Sequence, residues 1–223
     1  MSPTDPVTRD SWKQILASAI AIFDDLEKRG LGSPDVVIGG GTVLMFRFDH
    51  RLSRDIDFFM HDVQWVSMLT PRLNDTTAAM VTNYVEQANG IKLVMPHGDI
   101  DFVAAGAVTD TEAVETLEFG GRTFLLEPTE EILAKKLFYR AARFQPRDVF
   151  DLAAAIEFDP PSAINAVRVA VSKAAILERR MDELEGFPRE NLERDLLVLD
   201  RGRHLAAGMI ARTRCFIRDQ ASR

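Results

Sequence analysis

The pattern of the sequence changes at Pro128. Before it, short runs rich in β-branched residues alternate with glycine turns and helical stretches, whereas after it only long helical periods remain. This change predicts an α+β chain. We expect an N-terminal domain of residues 1–127, with a mixed β-sheet and flanking helices, followed by a C-terminal helical domain of residues 128–223.

Local patterns place the individual elements. Apolar residues at helical spacing predict an amphipathic helix from Trp12 to Leu26. Gly120-Gly121, between two β-like runs, is typical of a two-residue hairpin turn. Further strands are predicted at 35–38, 56–59, 91–95 and 100–104. Helices are predicted over about 129–143, 147–157, 161–185, 189–199 and 203–218.

Composition excludes several classes of protein. With 46% hydrophobic residues in 223, the chain can bury a core, which rules out disordered and fibrous proteins. No run is long enough to span a bilayer, and the N-terminus lacks the features of a secretory signal, so we expect a soluble cytoplasmic protein with no membrane partner. Cys215 is the single cysteine and there are four scattered histidines, so any metal would be bound by oxygen.

The formal charge of −7 argues against a protein that coats nucleic acid through its overall charge. The acidity lies mainly in the first half, however, because residues 1–110 carry a net −6 and residues 111–223 a net −1. Two basic stretches, 135–147 and 201–223, could dock a polyanion. A solvated helix face is the alternative interpretation of both.

The most informative pattern is a glycine turn followed by two alternating carboxylates. Gly40, Gly41 and Thr42 end a predicted strand and open a helix, where backbone N–H groups can approach a phosphate. Asp55 and Asp57 follow, and alternate positions of a strand place both carboxylates on one face, about 7 Å apart, within reach of one or two divalent cations. Taken singly, each pattern is more often a plain turn or a solvated strand edge.

Two more residues extend this candidate site. Asp101 lies in an apolar strand between Ile100 and Phe102, where a charge is unusual unless a cation neutralises it. Ser53 could hydrogen-bond a phosphate, or it could cap a local turn. Together these residues predict a site for a nucleoside triphosphate with magnesium.

These motifs resemble a known family. The run 51–59 after the glycine turn, together with a second block formed by 131–137, Arg143 and 147–152, is similar to the AbiEii/AbiGii toxins of bacterial toxin–antitoxin systems. Those toxins belong to the polymerase-β-type nucleotidyltransferase superfamily. The resemblance covers about residues 35–155 and implies a nucleotidyltransferase-type fold for the N-terminal domain.

The second block also has a physical interpretation. Lys136 and Arg143 are seven residues apart, so on one helix they would face the same way and hold a triphosphate. Asp148 and Asp151 would share a face of the next helix. There, one could position the base or the attacking hydroxyl, while the other orients Arg143 or Arg147.

The resemblance implies metal-assisted transfer of an NMP from an NTP to an acceptor hydroxyl, with release of pyrophosphate. Asp55 and Asp57 would bind two Mg²⁺ ions, for which Mn²⁺ could substitute, and Asp101 would be a third ligand or the base. The family implies an RNA acceptor, at the 3′ end of tRNA, and a cognate antitoxin protein. Two alternatives remain open: an enzyme that modifies a small molecule or a protein, and a catalytically idle nucleotide-binding module.

Overall fold

A computed structural model describes residues 7–193 and 196–222 of the chain. They form two compact units that interleave along the sequence. The first unit contains the described residues up to Val43, then Ser53–Gly106 and Ala113–Glu127. The second contains Leu44–Leu52, Ala107–Glu112 and the described residues from Pro128 onward. The division into domains at 127/128 remains a prediction.

A seven-stranded mixed sheet forms the centre of the first unit. Its strands are β1 Val36–Gly39, β2 Ile56–Met60, β3 Asn83–Gln87, β4 Gly90–Met95, β5 Gly98–Ala104, β6 Thr116–Phe119 and β7 Arg122–Leu126. They lie in the order β3-β4-β5-β2-β1-β7-β6. The pairs β1/β7 and β2/β5 are parallel and the other pairs are antiparallel, which confirms the predicted mixed sheet.

Helix α1, Ser11–Lys28, buries one apolar stripe. The ring of Phe23 on this helix lies edge-on to two rings of the sheet, 5.6 Å from Phe58 and 5.9 Å from Phe102 between centroids. Phe58 and Phe102 stack at 5.1 Å, and all three side chains are fully buried. These aromatic contacts form the core that fixes β2 beside β5.

The remaining helices of this unit are short, namely α3 Trp65–Leu69 and α4 Asp75–Met80. Helix α2, Gly40–Phe48, begins in the first unit and continues into the second. Between β6 and β7, Gly120 and Gly121 have φ of +59° and +78°, as a two-residue hairpin turn requires, so the predicted hairpin is confirmed. No helix among the described residues is both long and apolar enough to cross a bilayer.

The second unit is helical from Pro128 onward, as predicted. Its helices are α5 Thr129–Tyr139, α6 Pro146–Phe158, α7 Pro160–Val169, α8 Ala174–Glu185, α9 Arg189–Glu193, α10 Arg203–Ala206 and α11 Met209–Ala221. Three 3₁₀ turns connect them, at Ala141–Arg143, Val171–Lys173 and Asp200–Gly202. Prolines occupy the first turns of α6 and α7, where the missing N–H costs nothing.

Several predicted helices were too long. The helix expected over 161–185 is two helices separated by a 3₁₀ turn, and the one expected over 203–218 is interrupted at Gly208, whose φ is +80°. The helix expected over 129–143 ends at Tyr139, and of the one expected over 189–199 the described helix is Arg189–Glu193, with no helix at 196–199. The last of these predictions includes 194–195, which lie outside the described residues. In the two interrupted segments the apolar period runs through the break, so periodicity alone could not reveal it.

Candidate functional site

The glycine turn between β1 and α2 brings backbone and carboxylate into close contact. Gly40 has φ +70°, and a Cβ atom at this position would lie 1.8 Å from Oδ2 of Asp57. Only glycine leaves room for that carboxylate, and it also tolerates the left-handed backbone. The carboxylate of Asp57 therefore lies against the first residue of α2, which was predicted to approach a phosphate.

A row of facing residues crosses four strands of the sheet. Gly39 on β1 pairs with Asp57 on β2, Asp57 pairs with Asp101 on β5, and Asp101 pairs with Lys92 on β4. Residues in register on neighbouring strands point to the same face. Asp55 immediately precedes β2 and lies two residues from Asp57. The backbone thus gives the three predicted carboxylates one common face.

Asp55 is fixed by contacts to its carboxylate and to its backbone carbonyl. Its Oδ1 accepts a hydrogen bond from the backbone N–H of Asp99 at 3.0 Å, and Nε of Arg54 lies 3.8 Å from the same oxygen. The hydroxyl of the buried Thr42 donates to the carbonyl of Asp55 at 2.5 Å. This bond ties the first turn of α2 to the approach to β2.

Lys92 is the cation next to Asp101. Its Nζ lies 3.0 Å from Oδ2 of Asp101 and 2.8 Å from Oδ2 of Asp99. Burial alone would lower the pKa of Lys92, but these two carboxylates outweigh it and raise that pKa to about 12. Burial raises the pKa of Asp101, and the charge of Lys92 opposes that rise.

Asp55, Asp57 and Asp101 are chemically suited to bind a hard divalent cation, because all three offer carboxylate oxygens on one face of the sheet. Gly40, whose missing Cβ admits Asp57, adds an observation in favour of such a site. Within residues 7–193 and 196–222, however, no three acidic, histidine or cysteine side chains are already gathered at ligand distance. An ammonium group holds Asp101 instead.

The other predicted phosphate contacts lie close in sequence to this row. Gly41 is buried in the first turn of α2, and Ser53 is half-buried in the loop that precedes β2. The hydroxyl of Thr42 donates to a carbonyl oxygen, so the prediction that Thr42 contacts a phosphate depends on its backbone N–H.

The second unit contains a buried cluster of charges. Nζ of Lys136 lies 2.8 Å from Oδ1 of Asp148 and 2.9 Å from Oδ2 of Asp151. Arg51 donates to both oxygens of Asp151, from Nε at 2.6 Å and from Nη2 at 2.9 Å. Nε2 of His50 lies 2.7 Å from Oδ1 of Asp151. We call these five residues the buried charge cluster.

The buried charge cluster is electrically balanced. Burial alone raises the pKa of Asp151, but Arg51 and Lys136 hold that pKa well below its usual value. Burial lowers the pKa of Lys136, but Asp148 and Asp151 outweigh it and raise that pKa. Burial is also the main reason why the pKa of His50 is lowered. Two cations therefore face two carboxylates beside a neutral imidazole.

The structure corrects the predicted geometry of Arg143. Helix α5 ends at Tyr139, so Lys136 and Arg143 do not share a face of one helix. Arg143 ends the following 3₁₀ turn and is exposed, whereas Lys136 is buried. The prediction that Asp148 and Asp151 share a face of α6 is confirmed, since both reach the same ammonium.

Asp148 and Asp151 orient Lys136 rather than the predicted Arg143 or Arg147. Both carboxylates are fully buried, and Asp148 also accepts from the backbone N–H of Gln145 at 3.1 Å, which caps α6. Nη2 of Arg140 lies 3.4 Å from Asp148. Arg147 is exposed.

Sequence reasoning missed three residues, namely Lys92 in the facing row and Arg51 and His50 in the buried charge cluster. Lys92 interrupts the apolar strand β4 just as Asp101 interrupts β5, so the same argument could have found it. Arg51 and His50 precede Ser53 in the sequence, but their partner Asp151 is a hundred residues away. No local pattern predicts that pairing.

Carboxylates compensate most of the basic tail. Arg203 pairs with Asp200, Arg212 with Glu157, Arg214 with Asp182 and Glu185, and Arg218 with Glu178. Its arginines are thus largely engaged in exposed ion pairs, which is the solvated-face interpretation of this stretch.

Comparison with known proteins gives the following matches. A family model described as the nucleotidyl transferase AbiEii toxin of type IV toxin–antitoxin systems matches residues 24–213. Comparison with curated proteins found no match. Among solved structures, the chain is similar to MenT4, a nucleotidyltransferase toxin of Mycobacterium tuberculosis H37Rv, with a TM-score of 0.52 and 15% identity over 96% of this chain and 90% of that chain. It also matches the antibiotic-resistance factor ANT(2″)-Ia, with a TM-score of 0.36 and 16% identity over 78% of this chain and 96% of that chain. The likeness to MenT4 agrees with the α+β fold predicted from the sequence.

Proposed function

Because this chain belongs to the AbiEii nucleotidyltransferase toxin family of type IV toxin–antitoxin systems, we propose that it transfers an NMP from an NTP to an RNA hydroxyl. The acceptor is the 3′ end of tRNA. The nucleotidyltransferase activity and the antitoxin partner follow from the family. The acceptor, the metal and the role of each residue are our proposal, as is the cytoplasmic location.

In the first unit, Asp55 and Asp57 hold Mg²⁺, or Mn²⁺ in its place, and Asp101 is the third ligand or the base. The bound metal would stabilise negative charge on the transferring phosphoryl group. The backbone N–H groups of Gly41 and Thr42, next to Gly40, receive the triphosphate at the start of α2, and Ser53 adds a hydroxyl.

In the second unit, Lys136 is a fixed cation for the phosphates. An ammonium group has three donors, and the bonds to Asp148 and Asp151 use two of them, so one is left for a phosphate oxygen. Because its carboxylate partners are buried, Lys136 stays charged and oriented before substrate arrives. Arg143 is exposed and is assigned to contact with the triphosphate or the RNA backbone.

The contact between Gly40 and Asp57 is the observation that supports this proposal most strongly. A glycine with φ +70° is placed where any side chain would collide with a half-buried carboxylate. The arrangement brings together groups suited to a phosphate and a carboxylate suited to a cation.

The test is transfer of label from an α-labelled NTP to tRNA by purified protein with Mg²⁺. Asp57→Asn should abolish the transfer. Asp35→Asn, which changes an exposed carboxylate of the same unit, should retain it. Chelation with EDTA should stop the reaction of the unmodified protein. Absence of label from every acceptor would instead favour a catalytically idle nucleotide-binding module.

A second candidate is transfer to a small molecule or to a protein hydroxyl. The ion pairs along the basic tail favour it, because arginines that already face carboxylates offer less to an RNA backbone. If label appears on such an acceptor and never on RNA, this second function replaces the first. Expression of the chain with and without a cognate antitoxin then tests whether either activity restrains growth.

A further inference from the structure

Lys92 is the one residue of the facing row with a positive charge. It lies on β4 between the buried Ile91 and Leu93, directly opposite Asp101 on β5. Its ammonium lies between Oδ2 of Asp99 at 2.8 Å and Oδ2 of Asp101 at 3.0 Å. Both carboxylates are half-buried, so solvent screens these contacts only partly.

This position conflicts with full use of Asp101 as a metal ligand. On β5, Asp101 lies between two neighbouring strands: it pairs with Asp57 on β2 on one side and with Lys92 on β4 on the other. A divalent cation shared by Asp57 and Asp101 would need an oxygen of Asp101 and would lie near a fixed positive charge. The lysine and the cation therefore compete for the same carboxylate.

We propose that Lys92 is a built-in counter-ion that competes with divalent cations for Asp101 and so weakens cation binding to the nucleotide-free protein. This inference rests on the proposed metal site at Asp55 and Asp57. Asp101 is paired with Lys92 in the absence of a cation. A cation can bind Asp101 only by displacing the ammonium group or by sharing the carboxylate with it. Lys92 thus acts on cation binding through Asp101, without being a ligand itself.

Binding of Mn²⁺ to the nucleotide-free protein, followed by electron paramagnetic resonance, tests this competition without any transfer reaction. Lys92→Met should bind Mn²⁺ about tenfold more tightly than the unmodified protein, because one neighbouring positive charge is gone. Lys92→Arg keeps the charge and should bind like the unmodified protein. Lys92→Gln, measured in parallel, provides a second neutral variant should the Met variant fold poorly.

Two controls isolate the effect of position. Lys13→Met removes an equal charge from an ion pair with Asp10 on the same unit and should leave Mn²⁺ affinity unchanged. Adding Asp101→Asn to Lys92→Met should remove the gain, because the carboxylate that the lysine blocks is then absent.

Unchanged Mn²⁺ affinity in folded Lys92→Met would overturn the inference. Weaker binding would also overturn it, because Lys92 would then orient Asp101 for the cation rather than compete with it. Absence of Mn²⁺ binding from every variant would refute both the inference and the metal site. If Mn²⁺ binds as expected but no acceptor is labelled, the inference stands and the proposed function fails.

Discussion

Asp151→Asn removes one negative charge from the buried charge cluster at nearly constant shape. Asp151 accepts from Arg51, His50 and Lys136, and it is fully buried. In the variant, Arg51 loses the carboxylate that it contacts at both oxygens, and Lys136 keeps only Asp148. Removing one partner of a buried ion pair typically costs about 3–5 kcal/mol, because the other charge stays desolvated.

This loss should be large enough to measure easily. For a protein of this size, 1 kcal/mol shifts the thermal midpoint by about 2–4 °C, so a shift of about 6–20 °C is expected. Far-ultraviolet circular dichroism is the suitable signal because the second unit is helical. Tryptophan fluorescence is not, since Trp12 and Trp65 both lie in the first unit.

The same variant should change the response to acid. Arg51 and Lys136, opposing burial, hold the pKa of folded Asp151 well below its usual value, so the unfolded chain takes up this proton first. The stability that Asp151 contributes is therefore present above about pH 4, the usual pKa of an aspartate, and is lost as the pH falls below it. The difference in free energy of unfolding between the unmodified protein and Asp151→Asn should therefore decrease as the pH falls below about 4.

Asp182→Asn is the matched control, because Asp182 pairs with Arg214 on the surface, where it is 66% exposed. We expect no measurable shift for it. The reasoning would be refuted if Asp151→Asn lost less than about 1 kcal/mol, the scale of an exposed pair. It would also be refuted if the difference in free energy of unfolding between the unmodified protein and Asp151→Asn stayed constant down to pH 2, which is about two units below the usual aspartate pKa.

Three further predictions concern other residues. Gly40→Ala should abolish transfer and lower the thermal midpoint, because its new Cβ would collide with Asp57. Gly121 has a similar positive φ but open space around it, so Gly121→Ala should lower the free energy of unfolding by only about 1–2 kcal/mol, measured by denaturant unfolding. Phe58→Ala should cost about 3–5 kcal/mol by the same measurement, because its fully buried ring stacks on Phe102; a loss under 1 kcal/mol would contradict the assigned core. Burial is the main cause that lowers the pKa of His50, so the stability that the neutral imidazole contributes should be lost as the pH falls below about 6.5. In His50→Gln the free energy of unfolding, measured in a pH series of unfolding curves, should therefore fall less over that range.

The sequence predicted the central strands well because their pattern is local. β2, β4 and β5 each place apolar residues on buried faces, so alternation and β-branched runs were sufficient to find them. β3 was not predicted, because this edge strand alternates between exposed and half-buried residues and has no apolar face. The break between α7 and α8 was missed because apolar residues continue through it.

The candidate site was predictable to the extent that it depends on neighbours in sequence. The common face of Asp55 and Asp57 follows from strand alternation, whereas the partner of Asp57 on β5 follows only from the order of strands. Arg51 and Asp151 are a hundred residues apart, so their bidentate pair depends on tertiary packing that no short motif encodes.

The locations of paired and exposed charges matter more for ligand binding than the net charge of −7. The carboxylates beside Arg212, Arg214 and Arg218 offset the positive charge that would attract a polyanion, so these arginines attract RNA less than unpaired arginines do. Arg143 and Arg147 are exposed and make no ion pair within the described part of the chain. A polyanion therefore gains more at these two arginines than at the tail, although the tail contains more basic residues.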